Sequence, residues 1–509
     1  MHHSGNTTSG MPFVPEEEFA EDAAPILAQQ AADENESSPA IWTPFFRHGC
    51  SFTPSHFHDV MLNLIKNPNL NSSWLFRADI LHDQEGGEQS RIPEDLKATN
   101  AIPAFEGFQC KRLLVRRLIP RSTQRDAPLD QTCIIYQSLP GGQGAEKALV
   151  IYLPHVSSVE DVPFYHPAVR GIAFLHEWTP EEERGSVSIS FVLFQQDQRP
   201  VKLTRTALQL LMILHKHGQG KLDGYVKRVN HDLLVPQDIM QNRYTLLKQK
   251  YARRLMTTWV ESTPPEKHVF EDLGIAAFLM ELWDRMYKNT TFPGFVDIGC
   301  GNGLLVHILN QEGYTGWGFD ARSRKSWAMY NGTLEPDSET GSCQKTLRQH
   351  VLVPSPIHNG EIGELDRDKI HDGRFPRGTF IVSNHADELT PWTPILAAFS
   401  DCPFIMIPCC SHDLTGSKYR APAPKDKSKG HSAYASLVEW VTKIGRDCNW
   451  DIETEMLRIP STRNTALVGR KKLDSAQSDL DFDEIIHKYG GAGGYFENAV
   501  KLVKTAREH

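Results

Sequence analysis

The stretch that most constrains this chain is Phe295-Val296-Asp297-Ile298-Gly299-Cys300-Gly301-Asn302-Gly303, followed after an amphipathic run by Gly316-Trp317-Gly318-Phe319-Asp320. An apolar strand ending in Asp-x-Gly-x-Gly-x-Gly, then a helix, then a second strand ending in an acid is how an α/β sheet holds an adenosine-containing cofactor. The glycines open backbone angles closed to other residues and let ligand atoms lie against the main chain. Asp320 stands about 20 residues past the turn, where a carboxylate accepts both ribose hydroxyls of a nucleoside.

A dinucleotide fingerprint needs Gly-x-Gly-x-x-Gly, whose third glycine brings a helix N-terminus onto a pyrophosphate. Counted from Gly299 that position is Leu304, and counted from Gly301 it is Val306. Asp297, at the strand end, suits an amino group such as that of the methionine part of S-adenosylmethionine better than a pyrophosphate. The expected cofactor is therefore S-adenosylmethionine, held by Asp297, Gly299, Cys300, Gly301, Asn302, Gly303 and Asp320, with Asn384 joining from a later strand end.

Further strands are predicted near 348–353, 379–383 and 403–408, a helix near 433–445, and two closing runs at 455–459 and 466–470 whose short link suggests an antiparallel hairpin at the sheet edge. The fold class is α/β: a class I (Rossmann-like) methyltransferase domain with a mostly parallel seven-stranded sheet at 291–472, plus an N-terminal α+β domain at 41–235. In the latter, Thr132–Tyr136, Ala148–Leu153 and Ser186–Leu193 read as strands and Thr206–His215 as a helix. Between the domains, 236–290 reads as a helical connector with Tyr244, Leu247, Tyr251 and Leu255 at helical spacing, interrupted by Pro264-Pro265. Residues 1–40 read as a disordered acidic tail, and 473–509 as a helical tail after a Gly-rich break.

The net charge of -9 is unevenly placed, because residues 1–46 hold eight acids and no Lys or Arg. The body is nearly neutral and has room for basic faces: Lys111, Arg112, Arg116, Arg117 and Arg121; Lys248, Lys250, Arg253 and Arg254; and Lys418, Arg420, Lys425, Lys427 and Lys429. Such faces suit a polyanionic substrate. No apolar run approaches bilayer length, and Glu16, Glu17 and Glu18 stand where a signal peptide needs its apolar core, so a membrane partner is not expected and the location is read as intracellular. The nine cysteines show no disulfide framework and no paired Cys-x-x-Cys, and no metal is expected.

In open α/β sheets the ligand lies across the carboxyl ends of the strands. The loop after the fourth strand is Asn384-His385-Ala386-Asp387-Glu388-Leu389-Thr390-Pro391-Trp392. It lacks the Pro-Pro-aromatic grip of base-amine methylating enzymes but is rich in proton-handling groups. His385, Asp387 and Glu388 are the catalytic candidates, against a plainer role for Asp387 or Thr390 as a helix cap. After the fifth strand, Cys409 and Cys410 read either as nucleophiles for pyrimidine carbon-5 methylation or as small residues at a strand end. Cys402, Cys409, Cys410 and His412 are poorly spaced for zinc.

Lys267–Ala277 leading into Val296–Val306 resembles the tRNA (uracil-2'-O-)-methyltransferases that act on uridine 44 of serine tRNA. So do Arg117–Arg121, Gln131–Cys133, Tyr165–Pro167, Lys227–Val229, Phe319–Arg322, Asn384–Trp392 and Leu457–Asn464. The resemblance implies methyl transfer from S-adenosylmethionine to a uridine ribose 2'-oxygen, with tRNA as partner and the cytoplasm as location. Lys227, Arg228, Lys248, Arg253, Arg254, Arg322, Lys325 and Arg463 are the candidates for RNA contact. Two other readings stand beside it: an RNA pyrimidine C5-methyltransferase using Cys409 or Cys410, and an inactive cofactor-binding subunit of a two-component tRNA-modifying complex.

Overall fold

Alternating and continuous apolar runs separated by polar turns make the first part of the chain a β-structure, while longer helical periods dominate the second. In the computed structural model the chain divides into two units, residues 1–227 and 228–509. The residues described are 13–19, 29–30, 41–86, 91–96, 102–123, 125–139, 145–195, 199–224, 231–332, 334, 344–357, 367–424, 432–473 and 480–505.

The first unit is an eight-stranded antiparallel sheet carrying two helices. Its strands are β1 (Glu16–Glu17), β2 (Trp42–Cys50), β3 (Leu75–Glu85), β4 (Phe108–Pro120), β5 (Leu129–Ser138), β6 (Glu146–Pro154), β7 (Val169–Thr179) and β8 (Arg184–Leu193), in the order β1-β2-β8-β7-β6-β5-β4-β3. Helix α1 (Pro54–Lys66) starts on a proline, whose fixed φ and missing N–H cost nothing there, and buries Phe57, Val60, Met61, Leu64 and Ile65 at helical spacing. Helix α2 (Val201–Leu222) buries Leu203, Ala207, Leu211 and Leu214, and both helices share a core with Phe45, Phe52 and Phe191. It runs well beyond the predicted Thr206–His215. Gly218 extends it against the Phe52 ring, where a Cβ would lie 2.4 Å from a ring carbon.

Part of the acidic N-terminal segment is ordered, unlike the reading of 1–40 as a disordered tail. Glu16 and Glu17 pair with Arg47 and Phe46, and Arg199 Nη2 donates to the carbonyl of Glu18 at 2.8 Å. Main-chain pairing, invisible to composition, holds this segment. The basic face expected around Lys111–Arg121 is largely spent on internal contacts. Arg112 forks onto Asp83 at 2.6 and 2.8 Å, Arg117 onto Asp130 at 2.7 and 2.9 Å, and Arg116 is buried.

The second unit opens with α3 (Gln237–Thr257) and α4 (Pro265–Met286), which pack together and share one apolar core with the sheet. From Val269 to Trp283 nearly every residue of α4 is buried, including Glu271 and Asp272. Residues ahead of α3 are tied in as well: the N–H groups of Asp232, Leu233 and Leu234 donate to the Glu455 carboxylate at 2.7–2.9 Å. The sheet consists of β9 (Phe295–Ile298), β10 (Gly316–Asp320), β11 (Leu347–Gln349), β12 (Phe380–Asn384), β13 (Phe404–Ile407), β14 (Trp450–Met456) and β15 (Thr465–Lys472), ordered β11-β10-β9-β12-β13-β15-β14. Pairings among β9 to β13 are parallel, and β15 runs antiparallel to both β13 and β14. The predicted strand at 348–353 is split: Leu347–Gln349 joins this sheet, while Val351–Leu352 pairs with Ile370–His371.

Helices α5 (Leu304–Gln311), α6 (Trp327–Tyr330), α7 (Thr393–Phe399) and α8 (Ala433–Asp447) follow β9, β10, β12 and β13 in turn, and α9 (Phe482–Lys488) and α10 (Tyr495–Thr505) close the chain. The Tyr495 hydroxyl donates to the Leu352 carbonyl at 3.0 Å, which brings α10 over the carboxyl ends of the strands. No helix among the described residues is long and apolar enough to cross a membrane.

Candidate active site

The turn from β9 into α5 owes its shape to glycine. Gly299, Gly301 and Gly303 have φ of 74°, 51° and 74°, a region that L side chains rarely adopt. Gly303 also admits Leu347, whose side chain would lie 2.5 Å from an added Cβ, and Gly299 faces Ala386 at 3.1 Å. The N–H groups of Gly299 and Cys300 donate to the Phe319 carbonyl, Trp327 Nε1 donates to the Gly301 carbonyl at 2.9 Å, and Asn302 Oδ1 caps α5 through Leu304 N–H. Cys300 is buried, with burial pushing its thiol well up. Asp320, at the end of β10, accepts from the N–H groups of Gly301 and Arg322, both at 3.0 Å.

Acidic groups crowd around this turn. Asp297 is buried and its Oδ1 has no hydrogen-bond partner among the described residues. Burial first, then the neighbouring Asp272 and Asp320, push its carboxyl well above the usual range. Asp272 on α4 is pushed up to about 8 by burial and by Glu271, against a hydrogen bond from Asn384 Nδ2 at 3.5 Å. Asn384 Oδ1 is buried and has no partner among the described residues. Such a cluster suits a cationic ligand. S-adenosylmethionine carries an ammonium and a sulfonium, so the donor set fits it.

Two cavities of about 600 Å³ each meet along Gly299, Arg324 and His385. The first has an apolar wall of Phe319, Val351, Leu352 and Leu389 and also carries Asp320, Asp387 and Glu388; the apolar wall beside Asp320 suits an adenosine. The second holds Glu271, Asp272, Asp297, Asn384 and Arg463, a more polar lining suited to a charged group. His385 Nε2 lies 3.0 Å from Glu271 Oε1. His385 and Asp387 both take positive φ, 53° and 44°, unusual for residues bearing a Cβ. Backbone strain of this kind clusters at functional sites.

The three catalytic candidates are placed differently. His385 stands between the cavities, paired with Glu271. Asp387 Oδ1 accepts from the Cys409 thiol at 3.1 Å, and Glu388 lines the first cavity, its carboxyl raised chiefly by burial. Burial and Asp387 push the Cys409 thiol far up, which disfavours the thiolate a carbon-5 mechanism needs. Asp387, Cys409 and Cys410 bring potential ligand atoms within 4.8 Å of one another, one short of a tetrahedral set. Glu271, Asp272 and Arg324 are site residues that spacing arguments missed. The available signal was an acid pair inside an otherwise apolar helical run.

Among the residues expected to meet RNA, Lys248, Arg253 and Arg254 are exposed on α3. The tyrosines of the same helix are turned inward: Tyr251 is buried with its hydroxyl on Glu312, and Tyr244 packs against the core. Lys250 pairs with Glu312 at 2.7 Å. Arg322 lines the first cavity, and Lys325 is exposed and lines neither. Arg463 lines the second, its guanidinium 4.7 Å over the Tyr434 ring. Lys227, Arg228, Lys425, Lys427 and Lys429 lie outside the described residues.

Known proteins resemble both units. Residues 17–228 match the family "TRM44-like, N-terminal bet v1-like domain", and residues 234–347 match "Predicted AdoMet-dependent methyltransferase". A Neurospora crassa tRNA (uracil-O(2)-)-methyltransferase is 61% identical over 505 residues, covering 97% of this chain and 99% of the relative. The chain belongs to the tRNA (uracil-O(2)-)-methyltransferase family. Relatives of the same name from Schizosaccharomyces pombe and Yarrowia lipolytica are 40% and 36% identical, each over 92% of this chain and covering 94% and 97% of their own lengths. The family's bet v1-like domain is thus the eight-stranded sheet with α1 and α2, and its AdoMet-dependent domain contains the glycine turn, Asp297 and Asp320.

Proposed function

We propose that this member of the family methylates the ribose 2'-oxygen of a uridine in tRNA, uridine 44 of serine tRNA, in the cytoplasm, on a class I (Rossmann-like) domain. The observation that carries the reading is the junction of the two cavities, where unpaired buried carboxylates adjoin the His385–Glu271 pair. When bound there, S-adenosylmethionine supplies an electrophilic methyl group on a sulfonium sulfur. Asp320 would hold the ribose of the cofactor, Asp297 and Asn384 its charged end, and Gly299 and Gly301 give it close access to the main chain.

A protonated 2'-hydroxyl is a weak nucleophile, and the base that takes its proton must stand within hydrogen-bond reach. His385 is that base in our reading: Glu271 holds its ring by Nε2 and stabilises the imidazolium, while its buried Nδ1 has no partner among the described residues. The ring nitrogen that takes the proton is Nδ1, with Nε2–H donating to Glu271. Glu271 is then a positioning residue. Arg324, shared by both cavities, and Arg463 are placed to hold substrate phosphate, which fixes the attacking oxygen.

The test is incubation of purified protein with labelled S-adenosylmethionine and total tRNA, followed by nucleoside mass spectrometry and mapping. Label in 2'-O-methyluridine at position 44 of serine tRNA is the expected result. Label in 5-methyluridine, lost on Cys409→Ala plus Cys410→Ala substitution, would establish the carbon-5 route instead. Cofactor binding without any transfer would establish the subunit reading.

A further inference from the structure

Within the first unit a cavity of about 280 Å³ opens between the sheet and the start of α2. Its rim carries Trp74 and Phe164, 56% and 64% exposed, edge to face with ring centroids 5.5 Å apart, and Lys202 Nζ lies 4.8 Å over the Phe164 ring. Adjacent exposed aromatic rings over a cavity offer an apolar surface to a planar ligand. The floor is polar. Arg116, only 3% exposed, donates to Gln131 Oε1 at 3.0 and 2.6 Å and to the carbonyls of Leu64 and Ile65, all neutral acceptors, and no ion pair compensates its charge among the described residues. Its guanidinium lies 4.7 Å over the Tyr152 ring. The hydroxyl of Tyr152, itself 3% exposed, and Asn71 Oδ1 are buried without hydrogen-bond partners among the described residues.

The geometry points to a binding pocket for one unpaired nucleotide of the RNA substrate, its base stacked on one of the two perpendicular rings of Trp74 and Phe164 and edge-on to the other, with its polar edge reaching Tyr152 and Asn71. An apolar ligand would leave the Tyr152 hydroxyl, Asn71 and the charge of Arg116 unanswered in a desolvated floor. A bare phosphate would use the cations and ignore both rings. A planar base with polar edges and an attached anion uses all of them, with Lys202 at the rim for the backbone. The volume is near the lower limit of roughly 300 Å³ for small-ligand pockets, so one base fits and a paired stem does not. Aromatic side chains are general platforms for single-stranded bases. The inference rests on tRNA being the substrate.

The test is equilibrium binding of unmodified tRNA to the full chain at several salt concentrations, comparing wild type with Trp74→Ala/Phe164→Ala and with Tyr152→Phe. The double variant should lose roughly five- to a hundredfold in tRNA affinity, the weight of one stacked base. Its salt slope should be unchanged, because no phosphate contact is removed, and S-adenosylmethionine affinity should stay within twofold. Tyr152→Phe, which deletes one oxygen, should weaken binding in the same direction with an unaltered melting temperature. Ultraviolet cross-links should map to the peptides bearing Trp74 or Phe164. Wild-type methylation of tRNA with both variants binding as wild type would overturn this inference alone. Trp74-dependent binding of a single-stranded RNA oligonucleotide by a protein that methylates no tRNA would overturn the substrate reading and leave the pocket standing. Absence of RNA binding by wild type would overturn both.

Discussion

In the first unit Arg112 and Arg117 each meet a carboxylate on a neighbouring strand, whereas in the second Asp272 and Asp297 are buried with no ion pair among the described residues. The two treatments of charge have different consequences. A paired charge near the surface changes stability little and leaves no appetite for a ligand. A buried carboxylate without a cation stores a deficit that a cationic ligand relieves. The second unit therefore advertises its cofactor through unsatisfied charge. A comparable deficit in the first unit, Arg116, lies at the floor of the Trp74–Phe164 cavity.

The largest expected effect tests whether the charged junction is catalytic at all. His385→Gln should lower kcat by about two to four orders of magnitude, the usual weight of a general base, with affinities for S-adenosylmethionine and tRNA within twofold. Glu271→Gln should lower kcat less and shift the pH–rate profile, since it acts through the ring of His385. Single-turnover methylation measured across pH separates the two. Equal kcat in His385→Gln and wild type would reduce the pair to an ordinary structural contact.

Removing one member of the acid cluster sharpens the comparison next. Asp297→Asn should weaken S-adenosylmethionine binding on the order of a hundredfold, as expected when one side of a buried charge pair is lost. The same change should raise the melting temperature of the free protein, because the buried Asp297 carboxyl must take up a proton on folding at neutral pH and a neutral amide need not. Calorimetry and thermal melts read these opposite signs directly. A substitution that lowered both would mark Asp297 as part of the scaffold.

How much of this contrast shows in the sequence follows from how local each feature is. The glycine turn and Asp320 are separated by one helix, so their spacing alone reports a cofactor site. Glu271 and Asp272 reach the same site from α4, ahead of the turn in sequence, and only packing against the sheet brings them there. In the first unit Lys111–Arg117 reads as a basic run because a single strand shows one side of each ion pair. Asp83 and Asp130 arrive from the strands on either side of β4. Tyr251 stands beside the basic run Lys248–Arg254 in sequence, yet its helical position places it on the buried face of α3.

A smaller effect concerns pH. In the free protein the Asp272 carboxyl is pushed up to about 8, so it is largely protonated at neutral pH. A cation bound beside it favours the ionised form, and binding should expel a proton. Affinity for S-adenosylmethionine should therefore rise with pH until about 8 and level off above, changing by at most about tenfold per unit. Stability of the free protein should follow the reverse course: the raised carboxyl contributes fully below its ordinary value and loses that contribution as pH rises through about 8. Asp272→Asn should flatten both trends. Titration calorimetry in buffers of different ionisation enthalpy counts the proton, and a pH-independent affinity in wild type would remove Asp272 from the cation's surroundings.

The smallest expected effect belongs to the satisfied side of the contrast. Arg117 lies directly across from Asp130 in the β4–β5 ladder and is nearly half exposed, so water competes for both partners. The pair contributes about 0–1 kcal/mol to stability, and Arg117→Ala should lower the melting temperature by only a few degrees at most. If its guanidinium is fully engaged by Asp130, the same variant should leave tRNA affinity unchanged and the salt slope of binding unaltered. A phosphate contact behaves otherwise, because its removal weakens binding at every sequence and reduces the slope by about one. A loss of slope in Arg117→Ala would mean that this arginine exchanges Asp130 for the RNA backbone. The ion pairs of the first unit would then be held in reserve for the substrate, and the division between satisfied and unsatisfied charge would no longer separate scaffold from binding surface.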